Sequence, residues 1–133
     1  MILETSFLID LMKGRPDAVA LAQALDRSGE STYLAAPALF ELWVGVGRAV
    51  RRREETEGVE SLIASFDVMA MTDADAREAG LLQARLARKG RTMGTVDIML
   101  AGMSKARGQP LVTGDRNFGA VADEITIRTY RKG

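Results

Sequence analysis

Short apolar segments alternate with helical segments along almost the whole chain, and this alternation constrains the fold more than any other feature of the sequence. The segments predicted as strands are residues 2–4, 32–36, 67–71, 110–113 and 125–130. The residues between them place apolar side chains at helical spacing. Because strands joined by helical connections form mostly parallel sheets, we expect such a sheet with helices on both faces. At 133 residues the chain can bury one core, so we expect a single domain over residues 1–133.

Polar residues mark where several helices are expected to begin. Thr5 and Ser6 are predicted to cap a helix that starts near Phe7, and Thr95 is predicted to cap the helix of residues 96–107. A further helix is expected to begin at Pro37. Its predicted core face consists of Leu39, Leu42, Trp43, Val46 and Val50.

The composition excludes several kinds of chemistry. The chain contains neither His nor Cys, which excludes disulfides, Ser-His-Asp and Cys-His catalysis, and zinc sites built from imidazole or thiolate. Hydrolysis would therefore depend on carboxylates, hydroxyls, Lys or Arg, or a bound metal. Lys and Arg together number 18, as do Asp and Glu, so recognition of a nucleic acid would need charges sorted onto different faces.

No segment resembles a signal peptide or a membrane span. The apolar run of residues 7–12 is short and is interrupted by Asp10. We expect a cytoplasmic protein without a membrane segment.

Four acidic residues lie where predicted strands end or predicted helices begin. Glu4 ends the first strand, Glu41 lies in the helix after the second, Asp97 lies in the first turn of a helix, and Asp115 follows the fourth strand. Each has a structural alternative: a solvated acid, a partner for a helix dipole or an Asx turn. Because ligands of open parallel sheets bind at the carboxyl ends of the strands, the four acids together fit one crevice.

Such a crevice requires either protonation of its acids or a hard divalent cation. Two carboxylates about 5 Å apart repel each other by roughly 3 kcal/mol at an effective dielectric constant of about 20. Three or four carboxylates would cost a large part of a typical domain stability of about 5–15 kcal/mol. A set of oxygen ligands without His or Cys favours Mg²⁺ or Mn²⁺, which can activate a water for attack on phosphorus.

Four short motifs occur in order along the chain: LETSFLIDL at residues 3–11, LFEL at 39–42, GTVDIMLA at 94–101 and LVTGDRNF at 111–118. In this order and at these distances they resemble the PIN-domain ribonucleases, in particular the VapC-type toxins of prokaryotic toxin–antitoxin pairs. The resemblance covers nearly the whole chain. It implies a three-layer α/β/α fold with a five-stranded, mostly parallel sheet, an acidic Mg²⁺ or Mn²⁺ pocket, and endoribonuclease activity on single-stranded RNA.

The resemblance also implies roles for individual residues. The metal-site and catalytic acids would be those named above: Glu4, Glu41, Asp97 and Asp115. Thr5 or Ser6 would hydrogen-bond a ligand carboxylate or a metal-bound water, and Asn117 would orient the pocket. Asp10 matches a position that is commonly acidic in the family, and we interpret it as structural. The family usually has Asp where this chain has Glu4, which puts the catalytic rate in question more than the fold.

A small antitoxin is the protein partner that the resemblance implies. It would cover the acidic pocket and offset its charge with an Arg or Lys. We expect either this partner or a homodimer seam at the apolar helix surface, unless these residues are ordinary core; the surface consists of Leu11, Met12, Leu42 and Trp43.

RNA would approach through basic residues near the pocket, and the candidates are Arg91, Arg116 and the run of residues 48–53. Two other functions stay open at this stage. One is a non-catalytic PIN-like scaffold that binds RNA or protein, which Glu4 keeps possible. The other is a receiver-like domain that accepts a phosphoryl group on an acid at a strand end.

Overall fold

A computed structural model describes residues 1–131, so the last two residues of the predicted domain lie outside the described part. Five parallel strands form one sheet in the order β3-β2-β1-β4-β5. The strands are β1 (Ile2–Leu3), β2 (Tyr33–Ala35), β3 (Asp67–Met69), β4 (Leu111–Val112) and β5 (Ile127–Arg128). The helices are α1 (Thr5–Met12), α2 (Pro16–Ser28), α3 (Ala36–Arg48), α4 (Arg52–Ser65), α5 (Asp73–Arg88), α6 (Thr95–Arg107) and a 3-10 helix (Arg116–Val121). The predicted α/β fold with a five-stranded parallel sheet is confirmed.

The first strand lies at the centre of the sheet. Ile2 pairs with Tyr33 of β2 on one side and with Leu111 of β4 on the other. Both residues of β1 are completely buried, which is typical of a parallel strand covered by helices on both faces. The chain leaves β1 at Glu4 and enters α1 at once, so the carboxyl end of the central strand and the start of a helix coincide.

Several element boundaries differ from those expected from the sequence. Glu4, rather than Thr5 or Ser6, caps α1, and its side chain accepts a hydrogen bond from the Ser6 N–H. Gly94, rather than Thr95, occupies the N-cap position of α6. The last strand forms only over Ile127–Arg128 of the six residues expected.

The predicted core face of α3 is correct in its middle and wrong at its end. Leu42 and Val46 are buried in the core. Trp43 remains 38% exposed, and Val50 is fully exposed because α3 ends at Arg48 and the chain turns away before this residue.

Helices α5 and α6 pack against each other at very short distance. A Cβ added to Gly102 of α6 would lie 2.5 Å from the Cα and Cβ of Ala79 in α5, so only glycine permits this approach. Asp75 at the start of α5 is buried, forms a capping box with Thr72 and is paired with Arg107 at the end of α6. None of the helices among residues 1–131 has the length and apolar character needed to cross a membrane.

Candidate active site

Three of the four predicted acids converge at the carboxyl end of β1. Glu4, Glu41 and Asp97 each offer a carboxylate oxygen, and these oxygens all lie within 4.8 Å of one another. They come from the β1–α1 junction, from α3 and from the first turn of α6. Glu4 and Asp97 are thus close in space although they are far apart in the sequence. The short connections after β1 and β2 and the position of α6 bring them together.

The Glu4 carboxylate is buried and held by three donors. Its Oε2 accepts the Ser6 backbone N–H at 3.0 Å, and its Oε1 accepts the hydroxyls of Ser6 and Thr113. Both hydroxyls are oriented by the loop after β4: the Gly114 N–H donates to the Ser6 Oγ, and the Asp115 N–H donates to the Thr113 Oγ1. Burial raises the pKa of Glu4, the three hydrogen bonds act in the opposite direction, and the negative charge of Asp115 raises it further.

The Glu41 carboxylate is oriented from the first turn of α1. The Thr5 hydroxyl donates a hydrogen bond of 2.6 Å to the Glu41 Oε1. The predicted alternatives for Thr5 and Ser6 thus correspond to two different contacts, in which Thr5 contacts Glu41 and Ser6 contacts Glu4.

The pKa of Asp97 is raised by its burial and by the other acids around it. Burial first, and then the negative charges of Glu4, Glu41 and Asp115, raise the pKa of Asp97 to about 6. An aspartate whose pKa is raised by three neighbouring acids lies in a field of excess negative charge. This field is the electrostatic condition for binding a cation.

Asp115 lies beside this group rather than within it. Its charge raises the pKa of both Glu4 and Asp97, but its oxygens are not part of the set within 4.8 Å. Its Oδ1 accepts the Asn117 backbone N–H at 2.9 Å as the cap of the 3-10 helix. Asn117 is exposed, and its recorded contact with the site is made by its backbone rather than by its amide side chain.

Two features of the site were not anticipated from the sequence. Thr113 donates to Glu4, and its position directly before the Gly114-Asp115 pair was the available signal. The second feature is a contact at the C-terminus, where Tyr130 and Arg131 both donate to Asp10 of α1. This contact agrees with a structural role for Asp10.

The basic candidates separate into two groups. Arg91 and Arg116 line a cavity of about 500 Å³ together with Asp97, so they lie beside the acidic cluster. Within the run of residues 48–53, Arg51 pairs with Glu54 and Arg53 pairs with Glu57 on the exposed surface of α4. Arg91 and Arg116 are therefore placed to contact a ligand of the acidic site. The exposed ion pairs of Arg51 and Arg53 contribute little to the stability of the protein.

An apolar groove of about 690 Å³ runs between α1, α3 and α4 and reaches Glu41. Of the four residues expected at a partner surface, Leu11, Met12 and Leu42 line this groove, although Leu42 is itself buried in the core. Trp43 lies outside the groove on α3, three positions from Phe40, which is 60% exposed. The structure therefore divides the predicted surface into a groove and a separate aromatic pair.

The residues of the acidic cluster fit a hard divalent cation. Every atom that could ligate a metal here is a carboxylate oxygen. Such ligands suit Mg²⁺, Mn²⁺ or Ca²⁺ and do not favour the softer metals. Burial and the negative charges of Glu4, Glu41 and Asp115 together raise the pKa of Asp97. Two unit charges 4.8 Å apart repel by about 3 kcal/mol at an effective dielectric constant of about 20. A bound cation would remove this cost.

Comparison with protein families identifies the class to which this fold and site belong. The PIN domain model matches residues 1–124, and the chain belongs to the PIN domain family. The expectation drawn from the four motifs is therefore confirmed, and with it the assignment of the chain as a nuclease rather than a receiver-like domain.

The relatives that the chain resembles include VapC proteins and VapBC complexes. The chain is 29% identical over 121 residues to the tRNA(fMet)-specific endonuclease VapC of Shigella flexneri, with 90% of each chain covered. It is similar to the crystal structure of DNA-bound VapBC from Salmonella typhimurium, with a TM-score of 0.88, 26% identity, and 98% of this chain and 97% of that chain covered. VapBC2 from Rickettsia felis, bound to a promoter DNA fragment, has the same fold with a TM-score of 0.89, 18% identity and 98% of each chain covered.

Proposed function

We propose that the chain is a Mg²⁺- or Mn²⁺-dependent endoribonuclease and the toxin of a type II toxin–antitoxin pair. The observation that carries this proposal is the convergence of Glu4, Glu41 and Asp97 within 4.8 Å in a PIN-domain fold. RNA is the proposed substrate, and initiator tRNA is the first candidate because two relatives bear the name tRNA(fMet)-specific endonuclease. A cytoplasmic location agrees with such a substrate.

In the proposed mechanism the chain's own residues hold and orient the reacting groups. Glu4, Glu41 and Asp97 would hold the cation, and Asp115 adds negative charge beside them. When bound, a divalent ion supplies the Lewis acidity that phosphodiester hydrolysis by water requires.

Hydroxyl groups fix two of these carboxylates. Thr5 orients Glu41, while Ser6 and Thr113 orient Glu4. Residues that orient metal ligands in this way commonly affect metal affinity or activity by about 10- to 100-fold.

Replacement of Asp97 by Asn tests the proposal. The Asp97→Asn variant should bind Mn²⁺ much more weakly in calorimetry and should lose Mn²⁺-dependent cleavage of RNA. Asp73→Asn is the matched control, because Asp73 is an exposed acid in the first turn of α5, as Asp97 is an acid in the first turn of α6. Undiminished cleavage by Asp97→Asn would overturn the catalytic assignment.

The same experiment separates the nuclease from a non-catalytic scaffold. Glu4, where the family usually has Asp, is the feature that favours the scaffold. A scaffold would bind RNA without Mn²⁺-dependent cleavage, and neither Asp97→Asn nor Asp73→Asn would alter that binding.

We assign the apolar groove between α1, α3 and α4 to the antitoxin. The solved relatives that the chain resembles include VapBC complexes. Glu41 lines the groove and belongs to the acidic cluster, so a basic residue of a partner in the groove would meet that cluster. An amphipathic helix is the kind of segment that such a groove accepts.

Two glycines of α3 provide a matched test of this assignment. Gly45 lines the groove and Gly47 does not, and a Cβ at either position would meet no atom within 4 Å. Gly45→Gln should therefore weaken binding of the antitoxin encoded beside this gene, whereas Gly47→Gln should bind it normally. Equal affinity of the two variants would place the antitoxin elsewhere.

We also propose that the protein is a homodimer. The exposed aromatic pair Phe40 and Trp43 on α3 is the surface that supports this proposal. Phe40→Ser combined with Trp43→Ser should convert the dimer to a monomer in analytical ultracentrifugation. A wild-type protein that is monomeric at high concentration would contradict it.

A further inference from the structure

A second cavity adjoins the acidic cluster on the side of the C-terminal segment. Its volume is about 390 Å³, and it lies between the end of α1, the loop after β4 and the residues that follow β5. Ser6 and Asp115 line it on the side of the cluster, and three arginines line the rest: Arg15, Arg116 and Arg131. The proposed nuclease mechanism uses none of these arginines.

Arg131 is held in a fixed orientation. Its Nε and Nη2 contact the Asp10 Oδ2 at 2.9 and 2.8 Å, and its Nη1 donates to the Gly114 carbonyl at 3.3 Å. These contacts engage three of the five N–H donors of the guanidinium, so two remain. Tyr130 strengthens the arrangement, because its hydroxyl donates to the same Asp10 oxygen at 2.6 Å and its ring packs edge-on against Phe7.

Gly114 allows the C-terminal segment to lie directly on the loop that leads to Asp115. A Cβ at Gly114 would lie 2.5 Å from the Arg131 Nε and 2.7 Å from the Tyr130 hydroxyl. The loop that carries an acid of the nuclease site thus contacts the side chains that position Arg131. This contact fixes Arg131 relative to the acidic cluster.

The other two arginines keep donors available to a ligand. Arg15 uses its Nε for Asp17, which leaves its terminal nitrogens without a recorded contact within residues 1–131. Arg116 is exposed and forms no ion pair with any residue of the described chain. Planar guanidinium groups around one cavity are the usual means of binding phosphate.

Arg116 also lines the cavity that contains Asp97 and Arg91. It therefore stands between two cavities, and each of them contains an acid of the nuclease site. Both cavities therefore border the place where the scissile phosphate of an RNA strand would lie.

We propose that the cavity formed by Arg15, Arg116 and Arg131 is a subsite for a backbone phosphate of the RNA next to the cleaved bond. In this role the three arginines bind the substrate directly, and the contact between Arg131 and Asp10 prepares the subsite before RNA binds. This inference rests on the proposed nuclease function and adds to it the path of the substrate.

The test uses the full chain with Asp97→Asn in every sample, so that RNA remains intact. The probe is a single-stranded RNA oligonucleotide whose cleavage position has first been mapped with the wild-type protein. Arg131→Gln should lower the affinity for this RNA and reduce the slope of log K against log salt by about 0.7, the value for one phosphate contact on a single strand. Arg131→Lys should retain most of the slope, because it keeps the charge.

Replacement of single phosphates by neutral methylphosphonates identifies the contacted phosphate. One neutral linkage beside the cleaved bond should weaken binding to the protein with Arg131, and it should weaken binding to the Arg131→Gln variant clearly less, because only Arg15 and Arg116 still face that phosphate. Such non-additivity reports a direct interaction, and a purely structural role for Arg131 would not produce it. Arg77→Gln is the control, since Arg77 is exposed on α5 and lines neither cavity.

The outcomes separate this inference from the proposed function. If cleavage occurs but Arg131→Gln and Arg15→Gln both bind RNA with unchanged affinity and salt slope, the subsite is wrong and the nuclease proposal stands. If neutral linkages weaken binding to all variants equally, the arginines do not contact the phosphate and the subsite is again wrong. If the wild-type protein shows no metal-dependent cleavage, the nuclease proposal fails and this inference fails with it.

Discussion

The Thr5 hydroxyl donates a hydrogen bond of 2.6 Å to the Glu41 Oε1 and so connects the first residue of α1 to the middle of α3. Glu4 at the end of β1 directly precedes Thr5. One turn of chain therefore contributes both a carboxylate of the cluster and the group that orients a second carboxylate. This contact determines where Glu41 lies relative to Glu4 and Asp97.

Thr5→Val should weaken the site without unfolding the protein. Valine has nearly the volume of threonine but cannot donate to Glu41, so the carboxylate is released. We expect Mn²⁺ affinity and cleavage rate to fall by about 10-fold or more, as for other residues that orient metal ligands. Isothermal titration with Mn²⁺ measures the first effect, and Thr5→Ser, which keeps the donor, should restore most of the affinity. Normal affinity in Thr5→Val would show that Glu41 needs no orientation.

Asp97→Asn should stabilise the metal-free protein near neutral pH. Burial and the neighbouring acids raise the pKa of Asp97 from its ordinary value of 3.8 to about 6 in the folded chain, so the folded state binds more protons between these values. Stability contributed by this group is therefore lost as the pH rises from about 3.8 through about 6. We expect a higher Tm for Asp97→Asn than for wild type at pH 7.5 in EDTA, with a difference that shrinks on acidification.

Addition of Mn²⁺ should reverse that order, because the ion stabilises the wild-type protein by mass action and binds the variant weakly. A lower Tm for Asp97→Asn in EDTA would mean that the cluster is not electrostatically strained.

The order of the elements and the convergence of three acids could be predicted from the sequence, but the pairs of side chains that hold these acids could not. Glu4, Glu41, Asp97 and Asp115 could be found because strand ends and helix starts are local features, and parallel strands bring them to one edge. The pairing of Thr113 with Glu4 depends on the register between β1 and β4, in which Leu3 lies beside Val112. No local pattern contains that register.

The prediction that Thr5 or Ser6 caps α1 was wrong for a related reason. Thr5 and Ser6 have the residue types that usually cap helices, but both hydroxyls donate to carboxylates of the cluster. Glu4 takes the cap position because its carboxylate is already fixed beside the Ser6 N–H. The requirements of the site thus override the usual preference at the start of α1.

Glu124 should make the stability of the protein sensitive to acid. It accepts hydrogen bonds from Arg85 of α5 and Lys105 of α6, and these contacts lower its pKa to about 2, with the Arg85 hydrogen bond the largest cause. A group with a lowered folded pKa contributes stability above its unfolded value near 4.5, and this contribution is lost as the pH falls towards about 2.

We therefore expect Glu124→Gln to reduce the free energy of unfolding by about 1–2 kcal/mol at pH 7. The difference from wild type should narrow below pH 4.5. Urea unfolding at several pH values measures it. Glu60→Gln on α4 is the control, since Glu60 is exposed and has no recorded ion pair within residues 1–131. If the difference in free energy of unfolding did not depend on pH, packing rather than the charge of Glu124 would be its cause.

Gly102→Ala should destabilise the protein more than its single added methyl group suggests. The new Cβ would lie 2.5 Å from the backbone of Ala79, and neither helix can move away cheaply because the buried pair of Asp75 and Arg107 ties α5 to α6. Overpacking of this kind costs about 1–3 kcal/mol.

Gly80→Ala in α5 adds the same methyl group without a close contact, because a Cβ at Gly80 meets no atom within 4 Å. In a helix interior this substitution should stabilise the protein by about 0.5–1 kcal/mol. The helix preference of alanine is present in both variants, so the difference between them isolates the cost of the close approach. Equal stabilisation of Gly102→Ala and Gly80→Ala in urea unfolding would show that α5 and α6 do not pack at this distance.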